Sequence, residues 1–149
     1  MYNKLTQNDI EKLAEIVGED NILVGGDISS DYAHDELGTV ERMPDVLLRV
    51  TSTEQVSEIM KLAWERVVPV TVRGSGTGLV GAAVPVHGGI LLETTKMNKI
   101  IELDSDNLTV TVQPGVLLME LAYQKAFDDI IKINHPTIAN YIKSLDLMD

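Results

Sequence analysis

The stretch whose residue types and spacing could do chemistry is Arg73-Gly74-Ser75-Gly76-Thr77-Gly78-Leu79-Val80-Gly81, which carries four glycines in nine positions. Glycine adopts positive φ without steric cost and lets a ligand come close to the main chain. Successive exposed N–H groups in such a loop form a nest for an anion, and a diphosphate suits it. Ser75 and Thr77 add hydroxyl donors, while Arg73 either lends charge or anchors the loop itself. Gly76-Thr77-Gly78-Leu79-Val80-Gly81 literally satisfies the G-x-G-x-x-G dinucleotide fingerprint. That fingerprint requires a helix directly afterwards, with its N-terminus on the pyrophosphate. Here Pro85, Gly88 and Gly89 follow and then a strand pattern, so the match is formal only. No Lys-Ser/Thr pair follows Gly81, which excludes a Walker A loop. Two readings stay open: a strand-connecting turn that binds nothing, or a phosphate loop between β-elements.

The other polar candidates are weaker. Asp31, His34 and Asp35 lie close together in a polar stretch, where a solvated loop is expected and no metal site is assigned. His87 precedes Gly88-Gly89 and reads as an exposed residue of a hairpin turn; His135 before Pro136 reads as the start of a helix. No Ser-His-Asp arrangement can be argued, the carboxylates are scattered, and no catalytic residue is assigned. Trp64, Met97 and Met119 fall on apolar faces and are expected in the core.

The elements that must position the loop are legible around it. Thr6 to Gly18 reads as a helix with Thr6 and Asp9 at capping spacing and Gly18 as its stop. Ile22 to Val24 is a short strand candidate, and Gly25 to Met43 has no period and reads as an ordered excursion. Val46 to Val50 is a buried strand, Ser52 and Gln55 sit at capping-box spacing, and Val56, Ile59, Met60 and Ala63 make the stripe of a helix to about Arg66. Val67 to Val72 forms a second strand, completing a parallel strand–helix–strand unit. After the loop the pattern is β only, with strands at Ile90–Glu93, Lys99–Leu103 and Leu108–Gln113 and antiparallel pairing expected. Pro114-Gly115 ends that section, a helix is expected from Val116 to about Phe127, and a short amphipathic segment from Pro136 to Leu145. The expected class is α+β: a small parallel β-α-β layer plus antiparallel strands, with flanking helices.

With 149 residues the chain suffices for one domain, burying roughly 68–70% of its unfolded surface. Twelve basic against 23 acidic side chains leave a net charge of −11. Long-range repulsion then disfavours nucleic acid and anionic lipid as partners. The absence of cysteine excludes thiolate metal sites, iron–sulfur clusters and cysteine nucleophiles within these residues. Neither a signal-peptide core nor a membrane-length apolar run is present, so a cytoplasmic protein is expected.

Several ordered pieces together resemble a known family. They are Pro44-Asp45-Val46, Ser52-Thr53-Glu54-Gln55-Val56, Val68 to Leu79, Gly88-Gly89-Ile90, Met97-Asn98-Lys99-Ile100 and Val112-Gln113-Pro114-Gly115-Val116. Residues 44–122 look like the first half of the PCMH-type FAD-binding domain, found in FAD-linked oxidases of the vanillyl-alcohol oxidase / p-cresol methylhydroxylase type. The likeness is nearest to the flavin subunit of glycolate oxidase and to D-lactate dehydrogenases. It implies FAD held at its diphosphate by Arg73, Gly74, Ser75, Gly76, Thr77, Gly78, Leu79 and Gly81, mainly through main-chain N–H groups. Some relatives carry a histidine in this loop for covalent attachment; Ser75-Gly76-Thr77 stands there instead, which implies dissociable FAD. By the same resemblance, residues 1–43 are a leading helix and segment, and 123–149 a helical tail without counterpart. The second flavin-contacting segment and the substrate cap of the family find no match. The expectation is therefore part of a 2-hydroxy-acid oxidoreductase, incomplete for catalysis alone and with FAD retained weakly or not at all by the isolated chain, that pairs with a complementing chain or self-associates through an exposed face. The alternative is a non-catalytic interaction domain or truncated remnant that does not retain FAD.

Overall fold

In the computed structural model, which describes residues 1–104, 107 and 109–125, local capping starts the chain's first element. Helix α1 (Gln7–Val17) opens with a reciprocal box: the Thr6 hydroxyl accepts from the Asp9 N–H, and the Asp9 carboxylate accepts from the Thr6 N–H at 2.9 Å. Gly18 ends it with φ +85°. Asp9 is held below the ordinary carboxylate range by the Thr6 hydroxyl and N–H, and then by Arg66, whose Nε lies 2.9 Å away. At α2 (Thr53–Arg66) the Ser52 hydroxyl accepts from the Gln55 N–H, but the Gln55 side chain reaches back to the Thr51 N–H at 2.8 Å, one residue beyond a capping box.

These helices cover one face of a four-stranded sheet of order β1-β2-β4-β3, formed by β1 (Ile22–Val24), β2 (Val46–Arg49), β3 (Val70–Arg73) and β4 (Ile90–Glu93). Strands β2, β4 and β3 are parallel, and β1 runs antiparallel to β2. Here the structure corrects the sequence reading: Ile90–Glu93 does not begin the antiparallel section but inserts as the central parallel strand between β2 and β3. The physical reason is its apolar run, with Ile90, Leu91 and Leu92 all buried, as a strand covered on both faces requires. His87-Gly88-Gly89 is accordingly no hairpin turn; it feeds a strand running parallel to β3. At Gly89 the close approach is absolute, since φ is +73° and a Cβ would collide with the Pro69 carbonyl oxygen.

Leu13 and Val17 of α1, Ile59 and Ala63 of α2, and Val46, Leu48, Ile90 and Leu92 of the sheet form the main core. On the opposite face Leu47 and Leu91 pack with Ile28, Leu23, Tyr32 and Met43. The excursion between β1 and β2 is therefore ordered because it roofs that second face. Within it, Gly25–Asp27 and Ser30–Ala33 are short 3₁₀ turns. Met97 is buried as expected, but Trp64 is 86% exposed and Met119 65% exposed, so neither is a core residue. In α2 the buried stripe is carried by Ile59 and Ala63; Trp64, one residue further round the helix, falls off it.

Two compact units divide the described residues, one of residues 1–99 with 113–115, the other of residues from 100–112 and 116–125. In the second, β5 (Ile100–Asp104) pairs antiparallel with β6 (Thr109–Val112) through an irregularity between Ile100 and Glu102. Helix α3 spans Leu118–Lys125, starting two residues after the expected Val116. His135 and the expected segment from Pro136 to Leu145 lie outside the described residues. In the first unit Gly115 donates to the Met97 carbonyl at 2.8 Å and packs so close to Thr94 that a Cβ would collide with the Thr94 carbonyl oxygen.

Candidate functional site

The three parallel strands each end in a charged residue, and the register sets Arg49, Glu93 and Arg73 side by side in one cross-strand row. The row lies at the carboxyl ends of the strands, where open α/β sheets bind ligands. The glycine loop leaves β3 from its last member, Arg73. Glu93 accepts from the Tyr32 hydroxyl at 3.0 Å, from Arg49 Nε at 3.1 Å and from the Thr95 hydroxyl at 2.8 Å. The Tyr32 hydroxyl and then the Glu93 carboxylate raise the Arg49 pKa further above its already high value, so that side chain stays charged.

Arg73 is buried and its guanidinium faces the strap of residues 29–37, not the loop's outer side. Nη1 donates to the His34 carbonyl at 2.6 Å and Nη2 to the Asp31 carbonyl at 3.1 Å, with the guanidinium carbon 5.4 Å from the centre of the Tyr32 ring. Of the two roles open to Arg73 in the sequence, the geometry shows the anchor. Gly76, buried with φ +78°, lies over this guanidinium so closely that any Cβ would collide with it. Ser75, Thr77, Gly78 and Leu79 are exposed. Gly81 donates its N–H to the Asp35 carboxylate at 2.9 Å, so that donor is already spent. By contrast, among the described residues the main-chain N–H groups of residues 74–80 engage no acceptor. Beside them, a cavity of about 220 Å³ is lined by Asp31, Tyr32, Arg73, Gly74, Ser75, Glu93 and Thr95. No helix follows: residues 79–88 run through bends and turns into β4, which removes the structural requirement of the G-x-G-x-x-G fingerprint.

Residues 44–128, more than half of the chain, match the family described as FAD binding domain. The chain belongs to the FAD-binding domain family. Its cofactor is FAD, and the loop fits that group: its N–H donors at 74–80 are unengaged, Ser75, Thr77, Gly78 and Leu79 are exposed, and a diphosphate suits such a run of free donors. The chain is 47% identical over 122 residues to a D-lactate dehydrogenase of Anaerostipes hadrus, covering 81% of this chain and 26% of that protein. To the glycolate oxidase subunit GlcD of Bacillus subtilis it is 35% identical over 117 residues, covering 78% of this chain and 25% of the relative. A solved structure of p-cresol methylhydroxylase with substrate bound shares the fold at TM-score 0.69 and 30% identity, over 84% of this chain and 26% of that one. The chain thus spans about a quarter of the length of the relatives it matches. Among the described residues no helix is long and apolar enough to cross a membrane.

Sequence reasoning missed Asp35, Tyr32, Arg49 and Glu93. Asp31, His34 and Asp35 are not one solvated cluster: the Asp31 carboxylate accepts from the Ser29 hydroxyl at 3.1 Å, His34 Nδ1 sits 3.3 Å from the Asp35 carbonyl, and the Asp35 side chain is buried against the glycine loop. A charged residue closing each of three apolar runs was the available signal for Arg49, Glu93 and Arg73.

Proposed function

We propose that this chain supplies the diphosphate-holding part of an FAD-dependent oxidoreductase acting on 2-hydroxy acids. The observation that carries the reading is the row of unengaged N–H groups at 74–80, at the carboxyl end of a parallel strand. The donors are the main-chain groups of Gly74, Ser75, Gly76, Thr77, Gly78 and Leu79, aided by the Ser75 and Thr77 hydroxyls. Arg73 acts through the loop's shape. Gly81 contributes its turn, with φ +74°, while its N–H stays within the protein. Flavin, when bound, supplies two-electron oxidation at the carbon bearing the hydroxyl; the chain's own share is binding and orientation. The names of the relatives support the 2-hydroxy-acid class. With Ser75-Gly76-Thr77 in the loop, attachment is non-covalent, and the protein works in the cytoplasm.

Exposed Val72, Leu79 and Val80 beside the loop favour further protein covering this edge, supplied by a complementing chain or a second copy. Calorimetric titration with FAD and with riboflavin tests the grip. FAD should bind at least about tenfold more tightly, since two or more charge-assisted hydrogen bonds go to the diphosphate alone. Equal affinities, or none for FAD, would favour the rival reading of a non-catalytic interaction domain.

A further inference from the structure

Asp35 is a carboxylate with 3% exposure placed against an anion site, an arrangement that simple electrostatics disfavours. Its two oxygens are both spent on main-chain donors, Oδ1 on the Leu37 N–H at 3.0 Å and Oδ2 on the Gly81 N–H at 2.9 Å. Oδ2 also lies 3.6 Å from where a Cβ at Gly78 would stand, so the loop curls around this carboxylate. From the other side, Arg73 at the loop's root holds the carbonyls of Asp31 and His34 in the same strap. Strap and loop therefore hold each other at both ends, through a basic residue from the loop and an acidic one from the strap.

We propose that Asp35 is the positioning residue of the glycine loop: by taking the Gly81 N–H inward it fixes the far end of the loop and leaves the N–H groups of residues 74–80 facing outward for a diphosphate. The diphosphate clause rests on the function proposed above; the positioning of the loop does not. Asp35 touches no ligand in this role and its charge opposes the anion. Asparagine has the same shape but a single acceptor oxygen, so Asp35→Asn must leave the Leu37 or the Gly81 N–H against an amide NH₂. Alanine removes both acceptors.

Two opposite signs make this testable. If the carboxylate were only a nearby charge, D35N would remove repulsion and tighten FAD binding. If it positions the loop, D35N and D35A should weaken FAD binding by about tenfold or more, as expected for losing a hydrogen bond to a charged group. Unchanged or tighter binding by D35N overturns the proposal. Amide exchange in the flavin-free full chain gives a second readout: it should quicken about tenfold or more at Gly81 in D35A, and at Leu37 or Gly81 in D35N. Unchanged exchange overturns the proposal whatever FAD does, whereas failure of the unmodified chain to bind FAD overturns only the flavin reading. If D35A does not fold, the scalar coupling across the hydrogen bond from Gly81 ¹⁵N to the Asp35 carboxylate ¹³C, measured in the unmodified chain, decides; its absence refutes the contact. Asp9→Asn is the control, a buried carboxylate at the α1 cap that should change stability and leave FAD affinity alone.

Discussion

Gly76→Ala tests whether the guanidinium of Arg73 is a fixed part of the loop. The added methyl would occupy the place of Arg73 Cζ and Nη2. An arginine tip in water would simply move aside. This one is buried and held by the carbonyls of His34 and Asp31, so moving it costs those bonds. Placing alanine at φ +78° costs about 1 kcal/mol. Charge-assisted hydrogen bonds not remade cost about 2 kcal/mol more. A total of about 3 kcal/mol with a urea slope of about 2 kcal/mol per molar lowers the unfolding midpoint by about 1.5 M. The same substitution in an Arg73→Ala background meets no guanidinium and should cost only the backbone share of about 1 kcal/mol, giving a coupling of about 2 kcal/mol between the two sites. Equal costs in both backgrounds would refute the reasoning.

Four further outcomes follow from the geometry. Gly89→Ala, forced against the Pro69 carbonyl at φ +73°, should prevent β4 from seating beside β3 and lower the melting temperature more than G76A does. Val67→Gly should raise stability by about 0.5–1 kcal/mol in a urea titration, because Val67 ends α2 in the left-handed region at φ +54° and glycine belongs there. The folded-state pKa of Asp9 is lowered, so its contribution is present above the ordinary carboxylate range and lost as pH falls through the lowered value; acid unfolding should therefore lose part of its steepness in D9N. Trp64, the sole tryptophan, should show the quenching by acrylamide of an exposed indole, and Trp64→Glu should shift the urea midpoint hardly at all.

What the sequence made legible was local. The Thr6 box, the Gly18 stop, the Ser52 cap and the glycine loop are written in adjacent residues and appear where expected. The placement of β4 was not legible, because Ile90-Leu91-Leu92 has the same composition whether it pairs with the next strand or slips between two earlier ones; only burial on both faces decides. Asp35 was invisible as a loop residue because its partner Gly81 lies 46 positions away. Trp64 misled because an apolar residue type does not say on which side of the helix it falls, and Trp64 lies one residue round from the buried Ala63. The candidate loop was legible from family resemblance and local spacing together; Arg49 and Glu93 were brought beside its root by the strand register, and Tyr32 by the fold of the excursion between β1 and β2.

The late arrival of β4 has a consequence for biosynthesis. Chain synthesis delivers β2 and β3 well before the strand that separates them, and domains begin to fold as they emerge at about 5–20 residues per second. Until residue 93 has left the ribosome, β2 and β3 lack the strand that pairs with both of them in the folded sheet. Direct pairing of β2 with β3 in that interval would be a misfolded state that β4 must displace. A chaperone that shields these edges for seconds would improve the yield, and codons that slow elongation between Arg73 and Ile90 would lower it.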